Sequence, residues 1–115
     1  MRFIAIWEGV LNKLIKTYMG FSIKSRAIVI GQDRLKVSRD KIYLIIHCSS
    51  ASQNLKDLCL RLSEKHNCKL LCLDEPLEEY TSMEGCKAIG LTNQSLAEAI
   101  IKVAENLDLG ENNGK

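Results

Sequence analysis

Hydrophobic positions along the chain follow two different spacings. Apolar residues recur every three or four positions in some segments, which is typical of amphipathic helices, and form short unbroken runs in others, which favours buried strands. The runs predict four strands, at residues 27–30, 42–46, 70–73 and 87–91. The helical spacing predicts four helices: residues 10–18, continuing a stripe from Trp7 and ending near Gly20; residues 32–38; one opening at residues 50–53; and a last one from about residues 93–95 to Leu107.

Turn and cap residues separate these elements. Ser50-Ala51-Ser52-Gln53 fits the S-x-x-Q capping box, and Ser95 with Glu98 fits a second one. Residues 74–85 are acidic and loop-like, with one helical turn expected from Pro76. The alternation of strands and helices predicts the α/β class, as a three-layer α-β-α sandwich around a central mixed four-stranded sheet. We expect a single domain over residues 1–109 and a flexible tail over residues 110–115.

Composition agrees with one globular domain. The chain has 115 residues, of which 46% are hydrophobic and 26% charged. No apolar run reaches the length of a membrane span, and the apolar start is interrupted by Glu8, unlike a signal peptide. These features predict a cytoplasmic protein with no membrane partner. They leave open whether the N-terminal helix packs on its own domain or presents Phe3, Ile6 and Trp7 to a partner.

Charge is distributed unevenly along the chain. Residues 1–41 hold nine Lys/Arg against three Asp/Glu, whereas residues 42–115 hold seven against eleven. A basic half on a nearly neutral protein favours a polyanionic partner, because Lys and Arg displace counterions from phosphates. A solvated basic helix face is an equally good interpretation of the charge alone.

The sequence offers little catalytic chemistry. Five cysteines, an odd number without dense spacing, favour buried thiols in a reducing compartment; H-x-C-x₃-C at His66, Cys68 and Cys72 is a weaker metal hypothesis. His47 and Cys48 are neighbours on a strand, so their side chains should point to opposite faces. The acidic residues of the loop, which include Glu78, Glu79 and Glu84, are better explained by solvation than as paired carboxylates. No nucleotide-binding motif is present, and we expect no enzyme activity, no metal and no cofactor.

Two strand–helix junctions carry the binding hypothesis. Gly31 follows a strand and opens a helix, where a phosphate could approach the backbone amides closely. Ser50–Asn54, after the central strand, is rich in hydroxyls and amides. If both junctions lie on one side of the sheet, they form a polar rim that attracts anions, although two ordinary capped helices would explain the same serines. Four cations lie near Gly31 in the sequence: Lys24, Arg26, Arg34 and Lys36.

The order of these segments resembles a known family. Three motifs carry the resemblance: Tyr18-Met19-Gly20-Phe21 with Arg26-Ala27 and Gly31; Ile45-Ile46-His47-Cys48-Ser49-Ser50-Ala51-Ser52-Gln53-Asn54; and Ala88-Ile89-Gly90-Leu91-Thr92-Asn93. They are similar to the kink-turn-binding ribosomal-protein superfamily, which includes the archaeal large-subunit protein seven-Ae and the large-subunit protein thirty-e. The resemblance covers about residues 18–105.

This resemblance implies an α-β-α sandwich that recognises structured, kink-turn-like RNA, such as ribosomal RNA. It places RNA contacts on Gly31, Gln32, Asp33, Arg34 and on the segment around Ser50, Ser52 and Asn54, and the basic residues Lys24, Arg26 and Lys36 add phosphate contacts. DNA is not an expected partner. The chain departs from the family in residues 77–82, which replace the loop motif L-G-x-A-x-G without its glycines and with added acid. That departure motivates an alternative, a diverged member that binds another protein instead of RNA.

Overall fold

The fold is a four-stranded mixed sheet between two layers of helices, as the sequence predicts. The computed structural model describes the backbone over residues 2–73 and 77–111, and side chains over residues 13–73, 77–78 and 80–105. In chain order the elements are α1 Arg2–Lys24, β1 Ile28–Ile30, α2 Gln32–Val37, β2 Leu44–Cys48, α3 Gln53–His66, β3 Lys69–Leu73, α4 Glu78–Thr81, β4 Ala88–Leu91 and α5 Gln94–Glu111.

The strands lie in the order β1-β4-β2-β3. β4 is antiparallel to both of its neighbours, and β2 and β3 are parallel. β1, β2 and β3 therefore point the same way. Their carboxyl ends lie at one end of the sheet, and we call the border that crosses the strand ends there an edge of the sheet. β4 begins at that same edge.

Helices α2 and α3 pack on one face of the sheet, and α1 and α5 pack against each other on the other face. All five residues of β2 are buried, which explains the unbroken apolar run in the sequence. Gly90 on β4 faces α2, where Leu35 is fully buried. Lys69 on β3 faces α5, since its Nζ pairs with the Glu105 carboxylate at 2.9 Å.

Helix α1 continues past Gly20, where the sequence predicted its end. Met19 and Ser22 are fully buried on either side of the glycine, and the Ser22 hydroxyl donates to the Tyr18 carbonyl at 2.9 Å. Burial of this face outweighs the roughly 1 kcal/mol that a glycine costs within a helix. The helix ends instead at Lys24, two residues before Arg26, whose φ of 59° is left-handed.

Each of the two helices with a predicted capping box is capped by a residue two positions away from the predicted serine. Ser52, not Ser50, caps α3, because its Oγ accepts from the Leu55 amide at 3.2 Å. Asn93, not Ser95, caps α5, because its Oδ1 accepts from the Leu96 amide at 2.9 Å. Serine, asparagine and aspartate all serve at this position, so a polar cluster alone does not fix which member is the cap.

Strand bounds also differ at β2 and β3. β2 lies two residues later than predicted, and Ile42, although buried, precedes it. The sequence predicts a buried β3. In the structure β3 is an outermost strand, paired only with β2, and Cys72 is exposed. Helix α5 extends to Glu111, two residues into the predicted tail. Pro76 and residues 112–115 lie outside the described residues.

None of the described helices is long and apolar enough to cross a lipid bilayer.

Candidate functional site

The two strand–helix junctions lie at the same edge of the sheet, on either side of the beginning of β4. The Gly31 amide donates to the Ala88 carbonyl at 3.0 Å, and the Cys48 amide donates to the Lys87 carbonyl at 3.0 Å. The segment after β1 is thus tied to one side of β4 and the segment after β2 to the other. We call the surface formed by residues 31–34, residues 49–54 and Lys87 the junction edge. The sequence analysis made a polar rim conditional on both junctions lying on one side of the sheet, and the structure meets that condition.

Lys87 stands between the two junctions, and the sequence analysis missed it. Its Nζ donates to the Ser50 Oγ at 3.3 Å, and its side chain is half-buried. In the sequence Lys87 is only the first residue of the fourth predicted strand. The signal that could have found it is topological: a strand antiparallel to its neighbours begins at the edge where those neighbours end.

Gly31 has a backbone conformation that requires glycine. Its φ is 95° and its ψ is 152°, a region that other residues scarcely occupy. A Cβ at this position would meet nothing within 4 Å, so the requirement comes from the backbone and not from crowding. The absence of a side chain leaves the amides of this turn open to approach.

The first residues of α2 divide into a buried and an exposed set. Leu35 is buried in the core, and Gln32, Asp33 and Arg34 before it are exposed, as is Lys36 after it. With 100° between successive helical residues, Arg34 and Lys36 lie about 100° to either side of Leu35. The two cations therefore flank α2 and do not form a single cluster.

The junction after β2 uses its hydroxyls in different ways. The Ser52 Oγ is occupied as the α3 cap, whereas the Ser50 Oγ lies 3.2 Å from the Cys48 Sγ and accepts from Lys87. Asn54, on the first turn of α3, is exposed. Ser50 is exposed as well, and so is Ser52 although its Oγ is occupied by the cap.

Lys24 and Arg26 lie at the opposite edge of the sheet from the rest of the predicted site. They precede β1, and the carbonyl of Ala27 accepts from the Thr92 amide at 2.9 Å, beyond the end of β4. At about 3.3 Å per residue, Ala27 and Gly31 are about 13 Å apart. The sequence analysis groups these two cations with Gly31 because they are close to it in sequence. In the structure, strand β1 lies between the two cations and Gly31 and separates them.

Arg26 has a structural role at that edge. The Ala27 amide donates to the Ser22 carbonyl at 2.8 Å and the Arg26 amide donates to the Ile23 carbonyl at 3.1 Å, the two bonds of a Schellman motif. Arg26 occupies the left-handed position that glycine usually fills. The geometry therefore assigns Arg26 to the end of α1.

The acidic segment before β4 folds onto itself. The Glu78 carboxylate accepts from the Gly85 amide at 2.6 Å, and Leu77, Tyr80 and Thr81 are buried. Ser82 has a φ of 59°, left-handed, at the position matched to the final glycine of the family loop motif. The backbone shape that a glycine would favour is kept without the glycine.

Both histidines contact the backbone, and three of the cysteines have raised pKa values. The His47 Nδ1 lies 3.2 Å from the Cys48 carbonyl, and the His66 Nδ1 accepts from the Ile42 amide at 3.2 Å. Burial raises the pKa of the Cys59 thiol to about 11, and burial also raises the pKa of Cys68 and of Cys86. These thiols are less nucleophilic than an ordinary cysteine. Within residues 2–73 and 77–111, no group of three His, Cys, Asp or Glu side chains is placed to hold a metal ion.

A cleft of about 390 Å³ lies away from the junction edge, between the beginnings of β3 and α5. Its lining includes Tyr43, Cys68, Gln94 and Glu98. None of the predicted RNA-binding residues lines it.

Comparisons with known proteins bear on the fold. No family model and no curated protein matches the chain. Among solved structures, a protein with unknown function from Bacillus halodurans is similar, with a TM-score of 0.67 and 17% sequence identity over 82% of this chain and 96% of that chain. A likeness at this identity concerns the fold alone.

Proposed function

We propose that this protein is a noncatalytic RNA-binding domain that recognises structured, kink-turn-like RNA through its junction edge. One observation carries the proposal: Gly31 and Ser50 open two polar junctions on the same edge, and Lys87, on the strand between them, directs its ammonium group to Ser50. A protein recognises the shape of an RNA through backbone and small polar groups that approach the RNA closely. Cationic side chains that contact the phosphates supply affinity.

Charge at the junction edge supports an anionic ligand. Lys69–Glu105 is the one ion pair among the described side chains, so Arg34 and Lys87 of the junction edge, and Lys36 beside it, form no ion pair there, although the edge also carries the exposed Asp33 carboxylate. Glu78, a carboxylate of residues 77–82, accepts from the Gly85 amide. Phosphates can therefore approach this edge without displacing an internal ion pair.

The resemblance of the sequence motifs to the kink-turn binders supports the same ligand class. The fold is the one that the resemblance implies, and the matched segments Gly31–Arg34 and Ser50–Asn54 come together at one edge although 15 residues separate them. We propose action in the cytoplasm, in association with the ribosome or another ribonucleoprotein. The cysteines are free thiols, three of them buried, which agrees with a reducing compartment.

The test is a salt titration of binding to a kink-turn RNA, with a straight duplex of equal length as the control RNA. The protein variants are Lys87→Ala and Lys24→Ala, which remove the same charge at opposite edges of the sheet. We expect tighter binding to the kinked RNA, and a weaker affinity with a salt slope reduced by about 1 for Lys87→Ala only.

Other outcomes contradict the proposal in distinct ways. Equal binding to both RNAs, weakened alike by the two variants, would mean a general basic surface. Absence of binding to either RNA at low salt would exclude RNA recognition by the folded chain. Circular dichroism of each variant establishes that the fold is retained.

A further inference from the structure

Helix α1 has two apolar faces, and its own domain covers one of them. Ile15, Met19 and Ser22 are fully buried, at the spacing that faces α5 and the sheet. Leu14 and Phe21 are 40% and 52% exposed. Since they are seven residues apart, they lie on one line along the helix, about 120° from the centre of the buried face. The core of the domain does not include this second apolar line.

The exposed line has the spacing of a helix–helix seam. Leu14, Thr17 and Phe21 follow one another at intervals of three and four residues, the pattern of a and d positions in paired helices. The Thr17 hydroxyl donates to the Lys13 carbonyl at 3.0 Å, so it leaves no unpaired donor within the line. In the sequence the same spacing continues backwards to Val10, Trp7 and Phe3. We call the exposed line of Leu14, Thr17 and Phe21 the outer seam.

The charged residues of α1 next to the outer seam are cations. Between Glu8 and Asp33 the sequence has no carboxylate, and it has four cations, Lys13, Lys16, Lys24 and Arg26. Lys13 lies about one turn before Thr17 and Lys24 about one turn after Phe21, and both are exposed. None of the four forms an ion pair with a side chain that the structure describes.

From this geometry we infer that the outer seam of α1 docks an acidic amphipathic helix of a partner protein. The seam spacing specifies a helix, because a and d positions interdigitate with the corresponding positions of another helix. The flanking lysines specify acidic residues beside the partner's apolar positions, where opposite charges set the choice of partner.

Two other occupants fit less well. A second copy would bring the same lysines face to face, and like charges across an interface are unfavourable. A membrane surface requires a broad apolar sector, whereas the outer seam is one residue wide because the other apolar face of α1 is buried in the domain. The inference does not depend on RNA binding, since the outer seam and the junction edge are separate surfaces.

The test uses a fluorescent three-heptad peptide with Leu at a and d and Glu at e and g, together with a sequence-matched peptide carrying Lys at e and g. Anisotropy of the full chain with each peptide should show at least tenfold tighter binding of the Glu peptide. The double variant Leu14→Ser/Phe21→Ser should weaken that binding about tenfold or more, because exposed apolar anchors dominate such interfaces. The matched control is Val37→Ser/Leu60→Ser, which removes two exposed apolar residues, 74% and 51% exposed, from the opposite helix layer. Its affinity should stay within about twofold.

Each contrary outcome overturns the inference. Equal affinity for the Glu and Lys peptides would show that charge complementarity does not determine binding. Equal weakening by the control variant would show that binding does not depend on the outer seam. Binding to phosphatidylserine/phosphatidylcholine vesicles without binding of the Glu peptide would assign the surface to a membrane. A dimer that dissociates on Leu14→Ser/Phe21→Ser would assign it to a second copy. The kink-turn RNA titration serves as the separate readout: the double variant should bind RNA unchanged, so a failure of one proposal is distinguishable from a failure of the other.

Discussion

Gly90 and Leu35 are packed so closely that a Cβ on the glycine would lie 2.8 Å from the Leu35 Cδ2. The same Cβ would lie 3.1 Å from the Ile42 Cγ2. Gly90 stands in the middle of β4, paired with Val29 on one side and Ile45 on the other. Helix α2 can lie flat on the sheet because this position has no side chain, and the placement of α2 in turn fixes the Gly31 end of the junction edge.

Gly90→Ala should therefore destabilise the fold by about 1–3 kcal/mol, the usual cost of forcing an extra carbon into a packed core. Urea unfolding followed by circular dichroism measures the change. Gly20→Ala is the matched control, since a Cβ there meets nothing within 4 Å and the residue lies within α1. It should stabilise the protein by about 0.5–1 kcal/mol. Equal effects of the two substitutions would refute the close approach at Gly90.

The displaced cap of α5 gives a second prediction. Asn93→Ala should lower the free energy of unfolding by about 1 kcal/mol, because the Leu96 amide loses its side-chain acceptor. Ser95→Ala, at the residue that the sequence pattern favours as the cap, should change it by no more than about 0.5 kcal/mol. Chemical denaturation of both variants decides between the two caps, and a larger loss at Ser95 would restore the original assignment.

Ser82 gives a third prediction, through its left-handed backbone. Ser82→Gly should raise the free energy of unfolding by about 1 kcal/mol, because glycine takes a positive φ without the steric cost that a Cβ imposes. Ser49→Gly is the control, since Ser49 is exposed and is not among the positive-φ residues. Glycine there should be neutral or destabilising. Thermal unfolding of the two variants gives the comparison, and stabilisation by both would show that the backbone at Ser82 is not strained.

His66 predicts how stability depends on pH. Burial, with contributions from the nearby charges of Lys65 and Lys41, lowers the pKa of His66 below its ordinary value of 6.5, and its Nδ1 must stay unprotonated to accept from the Ile42 amide. Above the unfolded pKa His66 is neutral in both states and the full stability is present. As the pH falls below about 6.5, the unfolded state takes up a proton that the folded state resists, so stability decreases.

The measurement is the thermal midpoint between pH 5 and pH 8 for the protein and for His66→Gln, which keeps an acceptor but does not titrate. The decrease on acidification should be smaller in His66→Gln. Because His47 is present in both proteins, the difference between the two curves isolates His66. Parallel curves would show that His66 titrates alike in the folded and unfolded states.

Local patterns were sufficient to predict the elements and the layers. The unbroken run Ile42–Ile46 and the heptad-like spacing in α3 reflect burial, which depends on residue type and spacing, and both are readable in a single sequence. Contacts across the sheet are not readable in this way. Lys87 joined the candidate site because β4 runs antiparallel between β1 and β2, a pairing that no local pattern encodes. Lys24 and Arg26 lie at the other end of the extended strand β1 from Gly31, a consequence of the predicted strand that grouping by sequence distance ignores. The displaced caps have a smaller cause, since several neighbouring polar residues can each supply the same acceptor.

The packing of α1 on α5 sets an order of events during synthesis. The two helices lie side by side in the fold, yet roughly 70 residues separate the end of α1 from the beginning of α5. At translation rates of about 5–20 residues per second, Ile15 and Met19 stay without their partner helix for about 4–14 s after α1 leaves the ribosome. During that interval the nascent chain presents both apolar faces of α1 to its surroundings. Until α5 is synthesised, the face of α1 that α5 covers is therefore open to a chaperone that binds exposed apolar helices.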